Sequence, residues 1–206
     1  MTPGVAARGR RPDGRWNHNL HYHPLVLGSV PAHARTALDV GTGDGLLAAD
    51  LRERVPHVVG LDLDADVLVR ARAAVPRVAW VRGDLLDPPL PEGAFDVVAS
   101  IAALHHVPDL RAGLRRMAAL TAPGGRLVVV GLARSEPRDA ALHLVGAAQH
   151  QYLRRRRTYW EHTAPTVWPP PHTYREVRDV VRETLPGARW RRLAMWRYAV
   201  TWTRPA

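Results

Sequence analysis

The sequence predicts a doubly wound α/β domain. Short apolar runs, largely β-branched, alternate with stretches of helical period. The runs are continuous rather than alternating, as strands covered on both faces of a parallel sheet are. A glycine-rich turn joins the first run to the first helix, at the sheet edge where open α/β folds bind ligands.

The elements follow in order. Residues 36–40 form the first run and end at the turn. Leu47, Ala48, Leu51 and Val55 then recur at helical spacing. Residues 57–61 are the second run, and 65–75 are helical again, with Leu68 and Ala71 three apart. A third strand spans 78–81 and a fourth 95–99. The helix near 110–121 places Leu110, Leu114, Met117 and Ala118 on one face, and 127–130 is the fifth strand. After Gly131 the rhythm breaks. Residues 132–172 contain a helical stripe (Leu142, Val145, Gln149, Tyr152) and further aromatics, the composition of a cap rather than a linker. A helix over 173–185 follows, with Val177, Val180 and Val181 inward. Pro186-Gly187 marks a turn, and two β segments, 188–195 and 197–203, end the chain. The expected organisation is one domain over 1–206: an N-terminal lid (1–30), a ligand-binding core (36–131), a substrate-cap insertion (132–172), and a C-terminal helix with a strand pair (173–206).

Composition bounds the chemistry. The chain has no cysteine, which excludes disulfides, thiolate metal sites and a cysteine nucleophile. Its net charge of +10 invites a nucleic-acid reading. All 29 basic residues are Arg, however, while Phe occurs once. That is the pattern of GC-rich codons, and charge alone speaks to solubility and non-specific binding. The N-terminal stretch lacks the apolar segment of a signal peptide, and no run approaches a membrane span. A soluble cytoplasmic protein with no membrane partner is the expectation.

The turn reads Asp39-Val40-Gly41-Thr42-Gly43-Asp44-Gly45, and Asp62 ends the next strand. Glycines there let a ligand approach the backbone, and a carboxylate at Asp62 can accept from both hydroxyls of a ribose. A nicotinamide dinucleotide satisfies those two points. Three features point elsewhere. The spacing is G-x-G-x-G after Asp39 and supplies no pyrophosphate cradle. Gly83-Asp84 ends the third strand, where a carboxylate can accept from an adenine amino group. The fourth strand, Phe95-Asp96-Val97-Val98, leads into Ser100-Ile101-Ala102-Ala103-Leu104-His105-His106-Val107-Pro108.

Together these motifs, with Ala122-Pro123-Gly124-Gly125, resemble class I S-adenosylmethionine (SAM)-dependent methyltransferases, especially the small-molecule group that includes ubiquinone/menaquinone-type enzymes. The resemblance covers about residues 36–131. It implies a seven-stranded Rossmann-like sheet with its last strand antiparallel, and SAM as cofactor. It implies that Gly41 and Gly43 line the methionine part of SAM, that Asp62 holds the ribose, that Asp84 and Leu85 sit at adenine, and that Ser100 lies near the sulfonium; Thr42, Leu63 and Gly83 are further cofactor-binding candidates, as is Asp39, which can instead cap the glycine turn.

The acceptor is less legible, because the cofactor brings its own leaving group and the protein chiefly positions the reactants. No Asn/Asp-Pro-Pro-aromatic motif follows the fourth strand, and no cysteine serves a C5-pyrimidine mechanism. A small-molecule acceptor is therefore expected, with no specific nucleic acid. A tRNA or rRNA methyltransferase and a non-catalytic SAM-binding regulatory module are the alternatives. Histidines are the candidate bases: His162 first, beside Glu161 in the cap, then His106 after the fourth strand and His23 in the N-terminal cluster. Tyr22, His105, Tyr159, Trp160 and Trp168 are candidates for the acceptor pocket. His18, His21 and His23 lack a nearby carboxylate in sequence, so no metal is expected. The sequence leaves the oligomeric state open.

Overall fold

The computed structural model describes residues 15–160 and 167–206. Seven strands make one sheet: β1 (Thr36–Val40), β2 (His57–Asp62), β3 (Ala79–Arg82), β4 (Phe95–Ile101), β5 (Thr121–Leu132), β6 (Arg189–Arg192) and β7 (Arg197–Thr203). Their order is β3-β2-β1-β4-β5-β7-β6. The first five pair in parallel, and β7 runs antiparallel between β5 and β6. This is the expected seven-stranded sheet with an antiparallel last strand. β5 starts earlier than its apolar run, at Thr121, with a register shift opposite Phe95 and Val97.

Six α-helices accompany the sheet among the described residues: α1 (His23–Leu27), α2 (Leu46–Arg52), α3 (Ala65–Ala74), α4 (Leu110–Leu120), α5 (Ala140–Arg156) and α6 (Tyr174–Thr184). Their starts are written in side chains. Asp64 accepts from Asp66 N and Val67 N at the head of α3, Asp109 does the same for α4, and Thr173 with Glu176 forms a capping box on α6. α2 stops at Arg52, short of Val55, because the residue before Pro56 is steered away from helical backbone.

The pleat sends neighbouring strand residues to opposite faces, and both faces are buried. Leu38, Val98 and Val129 join Leu114, Met117, Val177 and Val181 under α4 and α6. Ala37, Val97 and Val128 join Val26, Leu47 and Leu51 under α1 and α2. Two-sided burial is why the runs are continuously apolar.

In the insertion, α5 turns a different face inward from the one its apolar residues suggest. Leu142, Val145 and Tyr152 are exposed. Gly146 is buried against the Met195 backbone, His143 Nδ1 accepts from Trp196 Nε1 at 2.9 Å, and His150 Nδ1 lies 2.7 Å from His18 Nε2. The helix thus meets the 193–196 turn through Gly146, where an added Cβ would touch the Met195 backbone at 3.4 Å. Beyond α5, Thr158–Tyr159 pairs in parallel with Arg15–Trp16, so the N-terminal segment is zipped to the insertion. Among the described residues no helix is long and apolar enough to cross a membrane.

Candidate active site

The turn after β1 is built for close approach. Gly41, Gly43 and Gly45 have φ of 67°, 53° and 76°, backbone that side chains resist. A Cβ on Gly41 would meet Ala103 Cβ at 2.2 Å, whereas nothing lies within 4 Å of one on Gly43. The second glycine therefore faces open space. Gly41 N and Thr42 N donate to Leu61 O at 2.9 and 3.0 Å, and Gly43 N donates to Asp62 Oδ2 at 2.9 Å, which hangs the turn on the end of β2.

A cavity of about 110 Å³ sits on this turn, at the carboxyl edge of the sheet. Its floor is Asp39, Gly41, Thr42, Gly43 and Asp44, with Ile101 and Ala102 from the end of β4; Asn17, Asn19, Leu20, His23 and Trp160 cover it. Asp39 is buried and accepts from Thr42 Oγ1 at 2.6 Å. Burial pushes its carboxyl up to about 7; the Thr42 hydrogen bond and the Ala48 amide pull it down, and Asp62 and Asp50 add repulsion. Ala102 takes the left-handed region, φ 57°, where β4 ends.

His23 is buried, and its Nδ1 lies 2.6 Å from Asp50 Oδ2 on α2. An ionised carboxylate only accepts, so Nδ1 carries the proton and Nε2 is left as the second ring position. The carboxylate missing from the N-terminal cluster thus comes from a helix 27 residues downstream. The three histidines of that cluster diverge: His18 meets His150, His21 Nδ1 accepts from Trp16 Nε1 at 3.5 Å, and His23 meets Asp50.

The other sequence candidates separate. His105 is half-buried, and burial, followed by His106 and Arg197, holds its pKa down at about 3; its Nδ1 is buried without a hydrogen-bond partner. His106 is exposed and also lowered, by burial, against the pull of Asp62. Tyr22 donates to Ala194 O at 2.7 Å. Trp160 N donates to Trp16 O at 2.9 Å beside the half-exposed Tyr159. Trp168 lies apart, in a second apolar cleft of about 500 Å³ with Trp196 and His143. Ser100 is buried and donates to Val40 O at 2.9 Å, tying β4 to β1 and standing outside the cavity wall. Leu63 is exposed beside Asp62. Gly83, Asp84 and Leu85 follow β3 on the same sheet edge; Asp84 Oδ1 accepts from Leu86 N at 2.9 Å and Leu85 enters the core. Glu161 and His162 lie outside the described residues. Asn17, Asn19 and Asp50 were missed: Asn19 and Asp50 act through contacts distant in sequence, and Asn17, which accepts from Leu20 N, gives no local sign that it lines the cavity.

A methyltransferase-domain family model matches residues 38–129. A Mycobacterium tuberculosis (strain H37Rv) protein named as an uncharacterized methyltransferase is 45% identical over 195 residues, covering 94% of this chain and 99% of its own length. This chain belongs to the class I SAM-dependent methyltransferases. A demethylmenaquinone methyltransferase of Thermus thermophilus is 38% identical over 124 residues, 57% of this chain and 54% of that protein. The fold agrees. A SAM-dependent methyltransferase from Aquifex aeolicus superposes with a TM-score of 0.62 at 16% identity, over 88% of each chain. The methyltransferase therefore uses SAM, and the turn fits it: the cradle is free of side chains at Gly43, the carboxyl of Asp39 stands at its start, and the Asp62 carboxylate accepts from Gly43 N at the end of β2.

Proposed function

We propose that this methyltransferase acts on a small-molecule acceptor. The observation that supports the reading is the cover over the glycine turn: Asn17, Asn19, Leu20, His23 and Trp160 line the cavity from two segments, the concave and partly enclosed kind of site that small ligands favour. SAM supplies a methyl group on a sulfonium that is already an activated leaving group. The chain holds and orients. Gly41 and Gly43 admit the methionine part at the backbone, Asp62 accepts from the ribose hydroxyls, and Asp84 with Leu85 flanks the adenine. The roof keeps water from the reacting atoms.

For an acceptor that must lose a proton, His23 is the base the geometry favours. Asp50 fixes its tautomer and leaves Nε2 to take the proton as the acceptor atom takes the methyl. His105, held neutral down to about pH 3, is a weak base, and His106 stands on the surface. His162 with Glu161 remains the alternative base pair.

The test is turnover. Purified protein with radiolabelled SAM is offered demethylated quinols and other small nucleophiles, and S-adenosylhomocysteine is measured. Release above the protein-free rate supports the reading. Transfer only to tRNA or rRNA refutes it and selects the RNA reading, which the net charge of +10 favours. Binding of SAM without transfer to any acceptor leaves the regulatory module.

A further inference from the structure

Arg197 opens β7 and is only 5% exposed. It follows a tight turn in which Met195 and Trp196 both take left-handed backbone, φ 53° and 59°, closed by Arg197 N donating to Ala194 O at 3.3 Å. Such turns favour Asn and Gly, so two bulky side chains there are strained. Opposite Leu132, Arg197 stands level with the end of β5, on the ligand-binding edge of the sheet.

Buried charges in proteins are paired, and a guanidinium has five donors to satisfy. Arg197 falls short on both counts. Its Nη2 donates to Asn19 Oδ1 at 2.8 Å, and its Nε is buried with no partner. Among the described residues, the groups whose fields act on it are the phenols of Tyr22, Tyr174 and Tyr159, with no carboxylate among them. Burial lowers its pKa to about 10 and raises Tyr22 to about 12, so at neutral pH the cation stays charged and that phenol stays neutral. His105 lies within reach of its field and has its own orphan, the buried Nδ1. Asn19, which holds Arg197, also roofs the cofactor cavity. Two unsatisfied polar groups and a charge with no carboxylate partner among the described residues thus lie next to the cavity, joined to its wall through Asn19.

We propose that Arg197 anchors the acceptor and that the acceptor carries a carboxylate. The planar oxyanion takes the guanidinium fork, and His105, in its Nδ1-protonated tautomer, is the second donor. A phosphate dianion is disfavoured because Arg192, the neighbouring cation on Tyr174, is already paired with Asp139, and His105 is neutral. The inference rests on the methyl-transfer reading for its location.

Calorimetry separates the two. S-adenosylhomocysteine is titrated first. The protein, with and without it, is then titrated with benzoate, benzamide and phenyl phosphate at constant ionic strength. Benzoate should bind at least ~10-fold more tightly than benzamide or phenyl phosphate. Arg197→Met should erase that preference, lowering benzoate affinity at least ~10-fold to the level of benzamide, while S-adenosylhomocysteine still binds. Arg197→Lys, which keeps the charge and loses the fork, should fall between; with the wild-type ratio it decides the question if the Met variant does not fold. No benzoate preference in the wild type, including no binding at all, overturns the inference, as does a preference that survives Arg197→Met or a preference for phenyl phosphate. Benzoate selectivity without any binding of S-adenosylhomocysteine overturns the methyl-transfer reading and leaves the carboxylate site standing.

Discussion

Asp62 Oδ2 accepts from Gly43 N at 2.9 Å, while its Oδ1 accepts from Asp64 N at 3.1 Å. One carboxylate at the end of β2 therefore sets the glycine turn and the start of α3 together. Each oxygen has a further lone pair, which is what a vicinal diol needs. Asp62→Ala removes both a scaffold bond and the proposed ribose acceptor. A hydrogen bond to a charged group is worth roughly 1.5–3 kcal/mol. S-adenosylhomocysteine should bind at least ~10-fold more weakly by calorimetry. Unchanged affinity would sink the assignment.

The two glycines of the turn should respond differently to the same added methyl. In Gly41→Ala the new Cβ lands 2.2 Å from Ala103 Cβ in backbone at φ 67°, so the clash adds to the strain. Strain of roughly 1–2 kcal/mol plus overpacking of roughly 1–3 kcal/mol predicts a loss of several degrees in Tm. In Gly43→Ala, at φ 53°, the Cβ meets nothing within 4 Å. Only the strain applies there, and the new methyl projects toward the ligand. Gly43→Ala should melt closer to wild type and lose ligand affinity more than stability. Thermal melts with and without S-adenosylhomocysteine check both halves; equal Tm losses count against the contact geometry.

Asp39 makes the stability of the ligand-free protein depend on pH in an uncommon direction. Its carboxyl is raised from 3.8 to about 7, chiefly by burial. Between those values the folded state keeps a proton that the unfolded state has released. Asp39 therefore costs stability progressively as pH rises through that window, on the order of a few kcal/mol by the top of it. Asp39→Asn keeps the shape and an acceptor for Thr42 but cannot ionise. Urea unfolding at pH 5 and pH 8 should show the variant gaining on wild type as pH rises. A constant difference between the two proteins would mean that Asp39 does not titrate in this range.

Much of this architecture was legible because its causes are local. The apolar runs of β1, β2 and β4 follow from burial on both faces, and the turn from Gly41 to Gly45 follows from backbone that other residues resist. The face of α5 was misleading for the same reason: Leu142, Val145 and Tyr152 read as an inward stripe, but the neighbour that decides the packing is the Met195 backbone, which lies against Gly146. The His23–Asp50 pair and the Asn19–Arg197 bond join residues 27 and 178 positions apart. No periodicity announces such pairs. The turn at 195–196 carries Met and Trp where Asn or Gly would have signalled its backbone.

The cover of the site is joined to the insertion through a short pairing, which predicts how it responds to ligand. Trp16 pairs with Tyr159 across a two-residue parallel bridge, and Trp160 N donates to Trp16 O at 2.9 Å. Leu20 N donates to Asn17 Oδ1 at 2.8 Å, inside the segment that roofs the cavity. Short pairings of this kind open locally at far less cost than the sheet beneath them. A ligand that fills the cavity binds the closed form and stabilises it by its own binding energy, about 2.7 kcal/mol at a concentration 100 times its Kd. Amide exchange over residues 16–23 and 158–160 should therefore slow by up to ~100-fold when S-adenosylhomocysteine is added, together with residues 41–45. The core strands β4 and β5, already limited by global unfolding, should gain only the global share. Protection confined to 41–62, with 16–23 and 158–160 unchanged, would mean that the roof does not close over the cofactor, and the acceptor would then have to be sought at a more open face.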